Sequence, residues 1–114
     1  MDIVGAWLAV ADETRRSLVF AEDGTGYMRT ESDHFPFFTW WKVEGKLFWR
    51  LFHDEALSRA INNGAEMEIT MSDDNGSRVL QFRHAPMLFG FRDFRFTSEP
   101  NVVMDADGYR RQSS

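Results

Sequence analysis

The sequence contains no cysteine in its 114 residues. Disulfides, thiolate metal sites and a cysteine nucleophile are therefore excluded. Lysine occurs only at Lys42 and Lys46, and arginine supplies the rest of the positive charge. No apolar run approaches the ~20 residues of a membrane-spanning helix. The opening stretch, MDIVGAWLAVADETRR, has neither the basic start nor the long apolar segment of a signal peptide, so a cytoplasmic chain is expected. Signatures for serine hydrolases, zinc proteases, phosphate loops and dinucleotide binding are all missing.

The charge balance is one-sided. The net charge is −5 and the isoelectric point about 5.1. Nucleic-acid binding calls for a basic surface, so no nucleic-acid partner is expected. An acidic chain suits a basic partner. The length fits one domain, expected over residues 1–104, with a polar tail over 105–114.

What the chain does have is short apolar runs between turn residues. Strands are expected at Ile3–Val10, Ser17–Ala21, Tyr27–Glu31, Phe37–Val43, Leu47–His53, Ala65–Met71, Arg78–His84 and within Met87–Phe96. Ala65, Met67, Ile69 and Met71 alternate with Glu66, Glu68 and Thr70, which marks one buried and one wet face. Turns are expected at Glu22–Gly26, where both glycines permit positive φ, at Glu44-Gly45-Lys46, and at Ser72–Gly76. Only Asp54–Asn63 reads as a helix, with Asp54 as its cap and Asn63-Gly64 as its stop, or equally as a loop with one turn of helix. The fold class is therefore all-β, with at most one short helix. Neighbouring strands pair antiparallel in an up-and-down meander, which closes into a small barrel to hide its edges.

Gly5-Ala6-Trp7 resembles the G-x-W signature of lipocalin-like (calycin-type) barrels. Leu18 to Gly26 is similar to the next hairpin in small bacterial lipocalin-like domains. The resemblance covers about the first quarter of the chain. It implies a barrel whose floor is closed by Trp7, under an arginine from a late strand. Arg83, Arg92 and Arg95 are the candidates for that arginine. A biotin site is not implied, because the later tryptophan pattern of avidins is missing.

The most unusual stretch runs from Phe35 to His53. Phe37, Thr39, Trp41 and Val43 share one face of their strand, and Phe38 and Trp40 share the other. Leu47, Trp49 and Leu51 oppose Phe48 and Phe52. Both faces thus carry large apolar side chains, and three arrangements account for them. The outer face can be covered by the Asp54–Asn63 segment or the C-terminal tail. It can be an interface, with Phe38, Trp40, Phe48, Arg50 and Phe52 offered to a partner beside Glu66 and Glu68. Or the rings can line a pocket for an apolar small molecule, formed by Trp7, Trp41, Trp49 and Phe82.

Candidate chemistry is sparse. His34 and His53 fall near the open end of the aromatic hairpin, but nothing fixes a ligand geometry there. Asp73-Asp74-Asn75-Gly76 and Asp105-Ala106-Asp107-Gly108 lack the full calcium-loop ligand series. Glu66 and Glu68 can pair with Arg78 or Arg83 across the sheet. No catalytic residue, metal or cofactor is implied. The reading is a non-enzymatic domain that binds another protein, in the manner of a bacterial immunity protein neutralising a basic toxin or nuclease. A homodimer through the aromatic face is a further expectation. The alternative is a lipocalin-like carrier or small barrel enzyme with an internal pocket.

Overall fold

A computed structural model of the chain describes residues 3–10, 16–30, 34–86 and 89–98. Eight strands succeed one another: β1 (Gly5–Ala9), β2 (Ser17–Phe20), β3 (Thr25–Arg29), β4 (His34–Val43), β5 (Lys46–Phe52), β6 (Ala65–Asp74), β7 (Ser77–Phe82) and β8 (Asp93–Ser98). Each pairs antiparallel with its sequence neighbour, and β1 pairs with β8 to close the barrel. The all-β meander read from the sequence is the fold. Eight strands leave an interior just wide enough for side chains to fill.

The chemistry of Gly5-Ala6-Trp7 is now explicit. Gly5 has φ 135°, a backbone conformation that disfavours a side chain. Trp7 is fully buried, and its indole Nε1 donates to the Ile3 carbonyl at 2.8 Å. The arginine over Trp7 is none of the three expected. Arg78, at the start of β7, holds its guanidinium 3.7 Å from the Phe96 ring centre and 5.9 Å from the Trp7 ring. Arg83 instead pairs with Glu68, and Arg92 with Asp93. Arg95 lies opposite Leu8 and Val79 in the sheet.

The interior is a continuous stack of rings. Phe20 meets Phe38 at 5.4 Å, and Phe38 meets Phe89 at 5.4 Å. Trp49 and Phe82 also converge on Phe89, at 5.5 and 6.1 Å. Phe89 belongs to the connection before β8, not to a strand as expected, and it is fully buried. Gly26 has a role other than the turn expected of it. It lies within β3 opposite Phe20 and Phe38, and a Cβ there would fall on the Phe38 ring and the Val19 carbonyl. The glycine makes room for the ring.

Residues 54–63 take the loop alternative and not the helix. Residues 53–64 form a loop, in which Leu57 has φ 58°. The Asp54 carboxylate takes the backbone N–H groups of Ser58 and Arg59 and the Ser58 hydroxyl. Asp54 thus caps, as read, but the positive φ at Leu57 stops any helix from propagating. The returning chain joins the sheet edge. Phe52 bridges to Ala60, and the Ile61 N–H donates to the Leu51 carbonyl at 2.7 Å. The turn between β6 and β7 is also tighter than expected: β6 runs to Asp74, and Asn75-Gly76, at φ 55° and 85°, make the reversal. The Asp105–Gly108 motif and the polar tail lie outside the described residues.

Candidate binding surface

The site is set by the turn between β4 and β5. A three-residue turn at Glu44-Gly45-Lys46 would place Phe38 and Trp40 on the same face as Phe48 and Phe52. The turn has two residues, Glu44 and Gly45, and Val43 pairs with Lys46. The register then sets Phe38 opposite Leu51, Trp40 opposite Trp49 and Trp41 opposite Phe48. One residue of register exchanges the two faces of a strand. This corrects the expected assignment of faces.

Phe38 and Trp40 point into the barrel. Phe38 is fully buried, and Trp40 packs edge-on to Phe20 while its Nε1 donates to the Thr25 carbonyl at 3.0 Å. Phe38 is closed off from solvent, and Trp40 is half-buried. Trp41, expected in the pocket, points outward and is 52% exposed. Its ring stacks parallel on Phe48, with centres 5.2 Å apart and planes 2° apart. Val43, also 52% exposed, continues the same face toward the turn. Trp41 and Val43 are two of the three most exposed large apolar side chains among the described residues.

The remaining expected partner-binding residues divide. Phe52 faces outward but is 7% exposed, next to its bridge partner Ala60. Arg50 lies over the Phe52 ring at 5.3 Å, and its Nε donates to the Asn62 carbonyl at 3.3 Å. Both are committed to the 53–62 loop. Glu66 and Glu68 stand on the outer face of β6, beside the aromatic pair. Glu66 lies opposite Phe48 and 3.6 Å from Lys46; Glu68 lies 3.5 Å from Arg83. These exposed pairs leave the carboxylates accessible and contribute little to stability. A groove of about 570 Å³ runs along this corner, lined by Val43 to Lys46, Phe48, and Glu68 to Thr70.

Of the expected pocket residues, Trp7, Trp49 and Phe82 are inside and packed. Trp49 and Phe82 meet edge-on at 6.0 Å, with Phe89 against both. A ligand at these rings would have to displace Phe89. His34 lies by Tyr27 and His53 by Phe35, at 4.8 and 6.0 Å between ring centres. Among the described residues no group of three or more histidine, aspartate or glutamate side chains is disposed to hold a metal ion.

Among the described residues two carboxylates depart from ordinary titration. The Ser58 hydroxyl, then the Arg59 N–H, hold Asp54 below the usual 3.8. Arg92 and then Gln81 do the same for Asp93 at the start of β8. Hydrogen bonding to the charged form is the cause in both. Both belong to the scaffold rather than to the aromatic face.

Sequence reasoning missed Val43 and the outward position of Trp41. The signal was present in Glu44-Gly45, a two-residue hairpin turn, but a three-residue turn reads equally well from the same residues. Compared with protein-family models, curated proteins and solved structures, the chain matches none of them. Among the described residues no helix is long and apolar enough to cross a membrane.

Proposed function

We propose that this barrel is a non-enzymatic binding domain, and that the outer face of β4, β5 and β6 takes a basic protein partner. The observation that carries the reading is the Trp41–Phe48 stack, held half in solvent on a rigid hairpin beside Val43. Large apolar rings on rigid strands give contact area at little entropic cost, and such residues dominate binding energies at interfaces. Glu66 and Glu68 form the rim, and the chain's net charge of −5 speeds the approach of a cationic protein. The packing of Trp49, Phe82 and Phe89 on one another favours the outside of the barrel over a pocket at those rings.

An immunity protein that neutralises a basic toxin or nuclease has this character, and a cytoplasmic setting suits a chain without cysteine. A bacterial lipocalin-like kinship is part of the same proposal. It is supported by Gly5-Ala6-Trp7 at the head of β1 and by Arg78 over Trp7.

The test is capture of partners from source cells by the intact chain, by Trp41→Ala and by Phe48→Ala, with Arg95→Ala on β8, across the barrel from β4 and β5, as the control. The expected result is a basic protein retained by the intact chain and the control and lost from both aromatic variants. Equal retention by all four proteins would sink the proposal.

A further inference from the structure

We infer that the free edge of β6, from Thr70 to Asp74, is a strand-addition site for an extended basic segment of a partner protein. The inference rests on the binding role proposed above and supplies its mode.

Strand β6 has ten residues, but β5 pairs with only its first part, from Trp49 opposite Ala65 to Lys46 opposite Glu68. The last bond on that side runs from the Ile69 N–H to the Gly45 carbonyl at 2.9 Å. There the β4–β5 chain turns away. On the other side β7 continues to pair with β6 as far as Asp74 opposite Ser77. The second half of β6 is therefore bonded along one edge only; among the described residues no strand pairs with the other.

The backbone direction is fixed by antiparallel alternation. Ile69 bonds toward β5, whereas the Glu68 carbonyl accepts from the Arg83 N–H on the β7 side at 3.1 Å. Met71 and Asp73 continue the Ile69 series, so their N–H and C=O groups aim at the open edge. A row of such groups is a template for another strand. Thr70, Ser72, Asp73 and Asp74 are exposed, so nothing in their own side-chain burial obstructs an approach.

Charge selects the occupant. Asp73 and Asp74 lie on the edge itself, with Glu44 and Glu68 where it begins. Two copies of this chain paired along the edge would gather the Asp73 and Asp74 carboxylates of both into one acidic seam, which is destabilising. A strand with lysine or arginine at those positions gains by the same geometry. The groove between Val43, Phe48 and Thr70 opens where the edge begins, so an added strand can extend onto the aromatic face.

The test uses three ten-residue peptides with the isotope-labelled protein: alternating Lys–Val, the same peptide N-methylated across its centre, and alternating Glu–Val. Chemical-shift titration gives affinity, and amide exchange reports on Met71 and Asp73. The Lys–Val peptide is expected to slow exchange at both amides. It should bind at least about tenfold more tightly than either other peptide, since the N-methylated form has lost its donors and the acidic form is repelled. Asp73→Pro removes an N–H that β7 does not use and should weaken binding more than Asp73→Asn. Should Asp73→Pro fail to fold, the N-methylated peptide still decides the matter.

Equal binding of the N-methylated peptide overturns strand addition, as does a Lys–Val response confined to Trp41 and Phe48. Equal binding of the Glu–Val peptide overturns the basic preference. Edge protection without peptide, with a mass in sedimentation that rises with concentration, assigns the edge to a second copy and overturns the partner assignment. If no peptide binds while cellular capture still depends on Trp41, the strand-addition inference falls and the proposed function stands.

Discussion

Phe52 and Trp41 lie on the same outer side of one hairpin, yet one is 7% and the other 52% exposed. The difference does not come from their strands, which are regular through both positions. It comes from the chain leaving β5. The 53–62 segment turns on Asp54, returns to bridge at Ala60, and commits Arg50 and Asn62 to that end of the hairpin. Among the described residues the end near Glu44-Gly45 has no such return. One end of the aromatic face thus belongs to the scaffold, and the other remains available for contact.

The largest effect should come from the interior against which both ends are measured. Phe89→Ala removes the ring on which Phe38, Trp49 and Phe82 converge, and should cost about 3–5 kcal/mol in urea unfolding. Gly26→Ala should cost about 1–3 kcal/mol, because its Cβ competes with the Phe38 ring and with the Val19 backbone. A Phe38→Leu change in the same chain should recover part of that loss.

The covered end comes next. Phe52→Ala should destabilise the fold by about 2–4 kcal/mol, whereas Trp41→Ala should change it by about 1 kcal/mol or less while abolishing partner capture. Equal costs for the two substitutions would erase the distinction between covered and open ends.

The smallest effect is a pH dependence confined to the covered end. Asp54 has a folded pKa depressed below 3.8, so its contribution is complete above that value and is lost as pH falls through the lower folded pKa. The protection of the Ser58 and Arg59 amides relative to their intrinsic exchange rates should therefore fall in strong acid. Asp54→Asn should remove that pH dependence, and exchange along β4 beside Trp41 should not track it.

Much of the fold was legible in the residues. Ala65 to Met71 alternates because a strand with one dry face must, and Asn75-Gly76 reverses the chain because those residues accept positive φ. Such signals are local, and they pointed to seven or eight strands in a meander. The acidic balance and the excess of rings between Phe35 and Phe52 were equally plain.

Which ring faces which way was decided only by tertiary structure. The β4–β5 turn differs by one residue from the three-residue alternative, and that residue moves Trp41 outside and Phe38 and Trp40 inside. Neither turn length violates any local preference, so the choice rests with the core, where Phe38 needs the space left by Gly26. Phe89, from a connection, and Arg78, from the far side of the sequence relative to Trp7, reach their partners only once the barrel has closed. The Asp54 cap shows the same limit at short range: its hydrogen bonds were readable, but the loop they hold depends on Phe52 and Ala60 meeting at the sheet edge. Periodicity specifies a strand's two faces, while closure of the barrel specifies which of them is the core.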